Sequence, residues 1–167
     1  MQLIIESPRL LLRQFTLADA DSLLQLNSNP AVMQYLHEAP LQNIADAEKV
    51  LTDIIFPQYK NNLGRWALHL KENNQFLGWC GLKYLAEKDE VDLGYRLLQE
   101  HWGHGYATEA SLHCIEYGFK KLSLPFIIGR AHVDNKASIK VLEKVGMKFV
   151  REGVEDGCLV KIYRIQA

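Results

Sequence analysis

A chain of 167 residues, 48% hydrophobic and 23% charged, has the size and composition of one globular domain spanning residues 1–167. Its 19 basic and 20 acidic residues leave a formal net charge of −1, which gives no electrostatic basis for nucleic acid or an anionic membrane as the main partner. The three cysteines, Cys80, Cys114 and Cys158, are dispersed without a Cys-x-x-Cys pair, which points to a reducing compartment and to neither zinc nor a disulfide framework.

The opening stretch lacks the basic start and small-residue cleavage site of a signal peptide, and no apolar run reaches the length of a membrane span. A cytoplasmic location is the expectation. Ser7-Pro8 punctuates the chain before a strand from Arg9 to Phe15. Thr16 or Asp19 then caps a short helix to about Asn27, closed by Asn29-Pro30. His37 to Pro40 reads as a loop. A helical pattern runs from Asn43 to Asn62 through Ile44, Ala47, Val50, Leu51, Ile54 and Ile55, with a kink or early end expected at Pro57.

Strands follow at Arg65–Leu70 and Phe76–Leu85, with Asn73-Asn74 as the turn between them, and a third at Glu90–Leu98 after the polar turn Glu87-Lys88-Asp89. A helix is expected from about Gly105 to Lys121, with Ala110, Cys114, Ile115 and Phe119 on its apolar stripe. A strand at Phe126–Val133 and a helix at Asn135–Val145, ended by Gly146, come next. Met147–Glu152 and Leu159–Ile165 close the chain as a hairpin around Asp156-Gly157. The order implies mixed α/β architecture, an antiparallel meander feeding a strand–helix–strand crossover.

The segment Trp102 to Ala110, WGHGYATEA, sits where the third strand gives way to a helix. Gly103, Gly105 and Ala107 leave little bulk over the backbone N–H groups, and such a turn can bind phosphate through free amides and the helix dipole. The spacing matches neither the Walker pattern nor G-x-G-x-x-G. Close packing alone would account for the same small residues.

This turn, with Asn135-Lys-Ala-Ser138 and Leu142-Glu-Lys-Val-Gly-Met147, resembles the GNAT superfamily of acetyl-CoA-dependent N-acyltransferases, and Ser7-Pro-Arg-Leu-Leu-Leu-Arg13 is similar to its RimJ/RimL branch. The likeness runs from Pro8 to about Arg164. It implies an α/β (α+β) fold with a mainly antiparallel twisted sheet of about seven strands and about four helices, whose central strands splay into a slot for acetyl-CoA. By this resemblance the backbone of Gly103, His104, Gly105, Tyr106, Ala107 and Thr108 cradles the pyrophosphate, Tyr95, Arg96 and Leu97 pair with the pantetheine arm, and Asn135 and Ser138 also meet the cofactor. Trp102 departs from the usual Gln/Arg. Asn135 suits the N-cap of the following helix equally well.

Acetyl transfer needs a neutral amine, a polarised carbonyl and a protonated leaving thiolate. Freeing a lysine-like amine (pKa about 10.4) of its proton at neutral pH costs ~4–5 kcal/mol, against ~1 for an α-amine at about 7.7–8.0. Asp92 and Glu90 are the candidate bases, although solvated surface charges are the competing reading. The tyrosine acid that many members carry seven residues after the Asn is Leu142 here, so the branch resemblance makes Ser138 the candidate acid. An ordinary first-turn helix serine would look the same.

His101 and His104 lack a third ligand, so no metal is expected, and Glu109 reads as a fold support. Trp66, Trp79, Tyr84 and Tyr95 read as core or acceptor-pocket wall. Tyr35 to Leu41 should border the acceptor, a primary amine on a protein N-terminus or a small molecule. A non-catalytic acyl-CoA-binding regulatory module is the alternative, and exposed sheet edges are compatible with a homodimer.

Overall fold

The structure is a computed structural model and describes residues 2–167. The strands are β1 (Leu3–Glu6), β2 (Leu10–Arg13), β3 (Gly64–Leu70), β4 (Phe76–Leu85), β5 (Glu90–Leu97), β6 (Phe126–His132), β7 (Lys148–Glu155) and β8 (Cys158–Gln166). The helices are α1 (Ala20–Ser28), α2 (Pro30–Met33), α3 (Ile44–Val50), α4 (Tyr106–Lys120) and α5 (Lys136–Lys144). All eight strands form one sheet in the order β1-β2-β3-β4-β5-β6-β8-β7. Every neighbouring pair is antiparallel except β5–β6, which α4 connects in parallel.

Strand alternation sends side chains to two cores. Trp66, Leu68, Cys80, Leu82, Leu93 and Leu97 meet Ala110, Cys114 and Ile115 of α4 and Ile139 and Leu142 of α5. On the opposite face Phe15 and Ala67 pack against Ala20 and Leu23 of α1, Ala47 of α3, and Leu51 and Ile55. Each fully buried Leu or Ile contributes roughly 1.5–3 kcal/mol, so two helical layers clamp the sheet from either side.

The β5–β6 pairing is short. It holds at Asp92–Ile128 and Leu93–Gly129, whereas β5 continues to pair with β4 as far as Leu97 and β6 with β8 as far as His132. Beyond Leu93 the two strands diverge. The expected splay is therefore present, and it leaves the β6-facing edge of β5 from Gly94 to Leu97 without a strand partner.

Eight strands and five helices exceed the expected numbers for identifiable reasons. β1 lies before Ser7-Pro8, which is a turn inside a β1–β2 hairpin rather than the start of the fold. Asn29-Pro30 closes α1 but also opens α2, because the Asn29 side chain accepts the Ala31 N–H at 2.9 Å and Pro30 stands where a helix needs no donor. The pattern from Asn43 to Asn62 breaks as expected near Pro57. Its α-helical part ends at Val50, a wide turn spans Leu51–Ile55, and a tight turn spans Phe56–Asn62. Pro57 lacks an N–H and its ring collides with the carbonyl four residues back, so the regular helix cannot pass through it. The closing hairpin turns at Asp156-Gly157 with φ of 50° and 76°, the paired left-handed geometry of a two-residue loop.

Candidate active site

The glycine turn occupies the C-terminal end of β5, just before α4. Gly103 and Gly105 have φ of 77° and 78°, a left-handed backbone that costs a side-chain-bearing residue about 1–2 kcal/mol. Both glycines are thus demanded by conformation, and a Cβ at Gly103 would meet nothing within 4 Å. Among the described residues, the backbone N–H groups of Gly103, Gly105, Tyr106, Ala107 and Thr108 donate to no carbonyl or side chain, and Glu109 N–H bonds Gly105 O at 3.0 Å. Consecutive free amides at a helix N-terminus are an anion cradle.

Its shape is braced from the turn between β1 and β2. Arg9 Nη1 donates to His104 O at 2.9 Å, and its guanidinium lies 4.7 Å from the Tyr106 ring centroid, while His104 stacks on Tyr106. Glu109 accepts from Ser7 Oγ at 2.7 Å, Arg9 N at 2.9 Å and Arg9 Nε at 2.6 Å. Burial opposes its charge, but those donors outweigh the penalty and hold the carboxyl below its usual pKa. Trp102 donates its indole N–H to Leu97 O at 2.9 Å, tying the turn to the end of β5.

Across the splay, the Tyr95 hydroxyl reaches α5. It lies 2.7 Å from Ser138 Oγ and 3.0 Å from Ser138 O. Burial raises the phenol pKa well above its usual value, partly offset by the hydrogen bond to Ser138, so Tyr95 stays protonated throughout the physiological range. Asn135 caps α5, its Oδ1 accepting Ser138 N–H at 3.2 Å. Its Nδ2 has no partner among the described residues and remains able to donate. Leu142 is fully buried in the core, so that position carries no proton donor.

Asp92 and Glu90 lie on the opposite face of β5 from Tyr95. Asp92 Oδ2 accepts from Arg65 at 2.7 Å and Oδ1 from Arg130 at 3.1 Å. Arg130 also holds Glu90 at 2.5 Å and Glu155 at 2.8 Å. Gly94 makes room for this network, since a Cβ there would fall 2.7 Å from the Arg65 guanidinium. Asp92 is thus shared between two arginines, and Glu90 is held to Arg130 through one oxygen, within a cluster of charges.

A cleft of about 560 Å³ opens over this face, bordered by Tyr35, Leu36, Ala39 and Leu41 and reaching Asn135 and Ser138. Trp79 forms its wall between the guanidiniums of Arg65 and Arg96, at 5.1 and 5.2 Å from the ring centroid. The Arg96 side chain enters the same cleft and donates to Asn27 Oδ1 at 2.8 Å. Trp66 is core, as expected, whereas Tyr84 is 48% exposed and bonds Asp89 instead of joining either wall or core. Among the described residues, no three His, Cys, Asp or Glu side chains converge as a metal site would require, and no helix is long and apolar enough to cross a membrane.

A family model described as an acetyltransferase (GNAT) domain matches residues 9–148. The chain belongs to the GNAT acetyltransferase family. It is 33% identical over 147 residues to the uncharacterized N-acetyltransferase p20 of Bacillus licheniformis, covering 87% of this chain and 82% of that one. Its fold is similar to that of the ribosomal-protein alpha-N-acetyltransferase RimL in complex with coenzyme A, with a TM-score of 0.85, 17% identity, and coverage of 99% and 98% of the two chains. It also resembles spermidine N-acetyltransferase from Vibrio cholerae in complex with CoA and spermine, with a TM-score of 0.80, 21% identity and 96% coverage of each.

This GNAT chain is an acetyl-CoA-dependent acyltransferase with the mixed α/β fold of the family. The hydrogen bond from Tyr95 to Ser138 was not legible in the sequence, where its side chain reads as core or acceptor-pocket wall, and Arg96 was placed in the site by backbone alone. Alternation along β5 shows that they point to opposite faces, but it does not show that α5 stands opposite one and α1 opposite the other.

Proposed function

We propose that the chain transfers the acetyl group of acetyl-CoA directly to a primary amine held beside it in a ternary complex. The observation that carries this reading is the run of free amides in the glycine turn, which follows in the chain on the edge of β5 that β6 leaves unpaired. The amides would hold the pyrophosphate, with Gly103, His104, Gly105, Tyr106, Ala107 and Thr108 contributing backbone donors. The backbone around Tyr95, Arg96 and Leu97 would hold the pantetheine arm in place of a strand, and Asn135 Nδ2 would donate to it. The fold likeness to two proteins described with bound coenzyme A supports the same assignment.

The amine attacks the thioester carbonyl in its neutral form, loses its surplus proton to solvent, and the C–S bond breaks as the amide forms. Ser138, backed by Tyr95, faces the leaving sulfur. A free thiol has a pKa near 8.5, below that of a tyrosine phenol, so the pair steadies the developing thiolate by hydrogen bonding rather than by outright proton transfer from Tyr95. Asp92 and Glu90 keep Arg65 and Arg130 in register, and water in the cleft serves as the base; this suits an α-amine, whose deprotonation costs only ~1 kcal/mol at neutral pH.

The RimJ/RimL-like branch is supported by Ser7-Pro-Arg-Leu-Leu-Leu-Arg13, whose Arg9 braces the glycine turn. A cytoplasmic location fits the free thiols of Cys80 and Cys114, whose sulfurs lie 3.6 Å apart. Incubation of the purified protein with acetyl-CoA and a panel of amines and N-terminal peptides tests the reading. Acetylated product with stoichiometric CoA release is expected. Acetyl-CoA binding without product on any acceptor would instead mark a regulatory module.

A further inference from the structure

The arginines of the cleft are unequally matched. Arg65 and Arg130 hold carboxylates at 2.5–3.1 Å, each with at least one contact of 2.7 Å or less. Arg96 is as buried as they are, its side chain 10% exposed, yet its anionic partner is Glu38 at 3.3–3.5 Å, itself 58% exposed on the loop between α2 and α3. Its one short bond goes to the neutral Asn27 amide at 2.8 Å. Charge-assisted bonds to a carboxylate ordinarily fall at about 2.7–2.9 Å. A buried guanidinium so weakly compensated is costly to the empty protein and is available to a ligand anion.

Charge along the cleft points the same way. Its lining carries four cations, Arg65, Lys83, Arg96 and Arg130, against the carboxylates of Glu38, Asp92 and Glu155. Asp92 is shared by two arginines, and Glu155 by Arg130 and Lys88. Among the described residues, Lys83 has no ion-pair partner. Within the lining the excess is therefore positive, and Asp92 and Glu155, the two buried carboxylates of the cleft, are already engaged by Arg65, Arg130 and Lys88.

We propose that the acceptor is a small amino acid, whose carboxylate displaces Glu38 from Arg96 while its amine faces the splay between β5 and β6. The inference rests on the acetyltransferase reading above. The step balances as ammonium carboxylate plus acetyl-CoA giving the N-acetyl amino acid, the free CoA thiol and one proton released to solvent. A C–N bond forms as the C–S bond breaks, and the carboxylate is unchanged. A cleft of about 560 Å³ lies within the roughly 300–1,000 Å³ range of small-molecule sites.

The test measures CoA release and acetylated product for the proteinogenic amino acids, their carboxamides, the corresponding decarboxylated amines, spermidine and short peptides. At least one amino acid should exceed its own carboxamide and decarboxylated amine in kcat/KM by tenfold or more. Arg96→Gln should collapse that ratio toward one, mainly through KM for the amino acid. Glu38→Gln, on an exposed loop where folding is not at stake, should lower KM for the amino acid several-fold by removing the internal competitor. Preference for amides, polyamines or peptides, or a Glu38→Gln variant with raised KM, would overturn the proposal while leaving the acetyltransferase reading intact. Absence of product from every acceptor despite acetyl-CoA binding would overturn both.

Discussion

Ser138 and Tyr95 share a 2.7 Å hydrogen bond across the splay, and substitution separates their contributions. Ser138→Ala should lower kcat by about 100-fold, the span typical of losing one hydrogen-bond donor to a developing anion, with little change in acetyl-CoA affinity. Tyr95→Phe leaves the serine in place but removes its hydroxyl partner, so a smaller fall of about tenfold is expected. Steady-state kinetics with acetyl-CoA titration checks both, and wild-type turnover in the serine variant would remove Ser138 from the reaction. At this scale the sequence was legible where the residue type carries its own geometry. Asn135 is the N-cap that its amide suits, and Glu109 is the support that its place in the first helical turn suggests. Asp92 and Glu90 could be read as candidate bases because nothing in their neighbourhood along the chain announces Arg65 and Arg130, which fold onto them from other strands.

The glycine turn and α1 show what elements contribute beyond single side chains. The turn's backbone needs left-handed geometry at Gly103 and Gly105, and a Cβ on Gly105 would lie 3.4 Å from Arg9 Nη2. Gly105→Val should therefore weaken acetyl-CoA binding by tenfold or more, read by calorimetry, whereas unchanged affinity would sink the pyrophosphate assignment. On the acceptor side, α1 is pinned to β2 by Asp19, which takes two bonds from Arg13 at 2.7 and 2.8 Å and one from Thr16 N–H at 2.7 Å. Burial alone would raise the Asp19 pKa, but Arg13 and the Thr16 amide more than reverse it, so the folded value is depressed. Such a group stabilises the fold above its unfolded pKa of about 3.9, and that stability is lost as pH falls through the lower folded value. Asp19→Asn should cost about 3–5 kcal/mol in urea unfolding at pH 7 and far less once pH falls below the folded value. Thr16 and Asp19 were both readable as caps. The single turn of α2 was hidden because Asn29-Pro30 serves as stop and start alike, and β1 because Pro8 reads as a boundary.

At the scale of the whole molecule, function follows from one departure from regular sheet structure. Antiparallel strands on either side hold β5 and β6, while the pair itself is joined only at Asp92–Ile128 and Leu93–Gly129. The sequence shows a strand, a glycine turn, a helix and a second strand, and the family resemblance implies that they part. Local patterns alone do not, because strand divergence depends on how α4 and α5 fill the space beneath. On the proposed reading the divergence lets one coenzyme A molecule reach from the free amides along the unpaired edge to Ser138, with the arginine-lined cleft opening on the opposite face of β5. A crystal structure of the protein with coenzyme A tests this most directly. The pyrophosphate should lie on the amides of Gly103–Thr108, the pantetheine arm along β5 from Gly94 to Leu97, and the sulfur within hydrogen-bonding reach of Ser138 Oγ. Coenzyme A bound away from the splay, or with its sulfur remote from Ser138, would contradict the account.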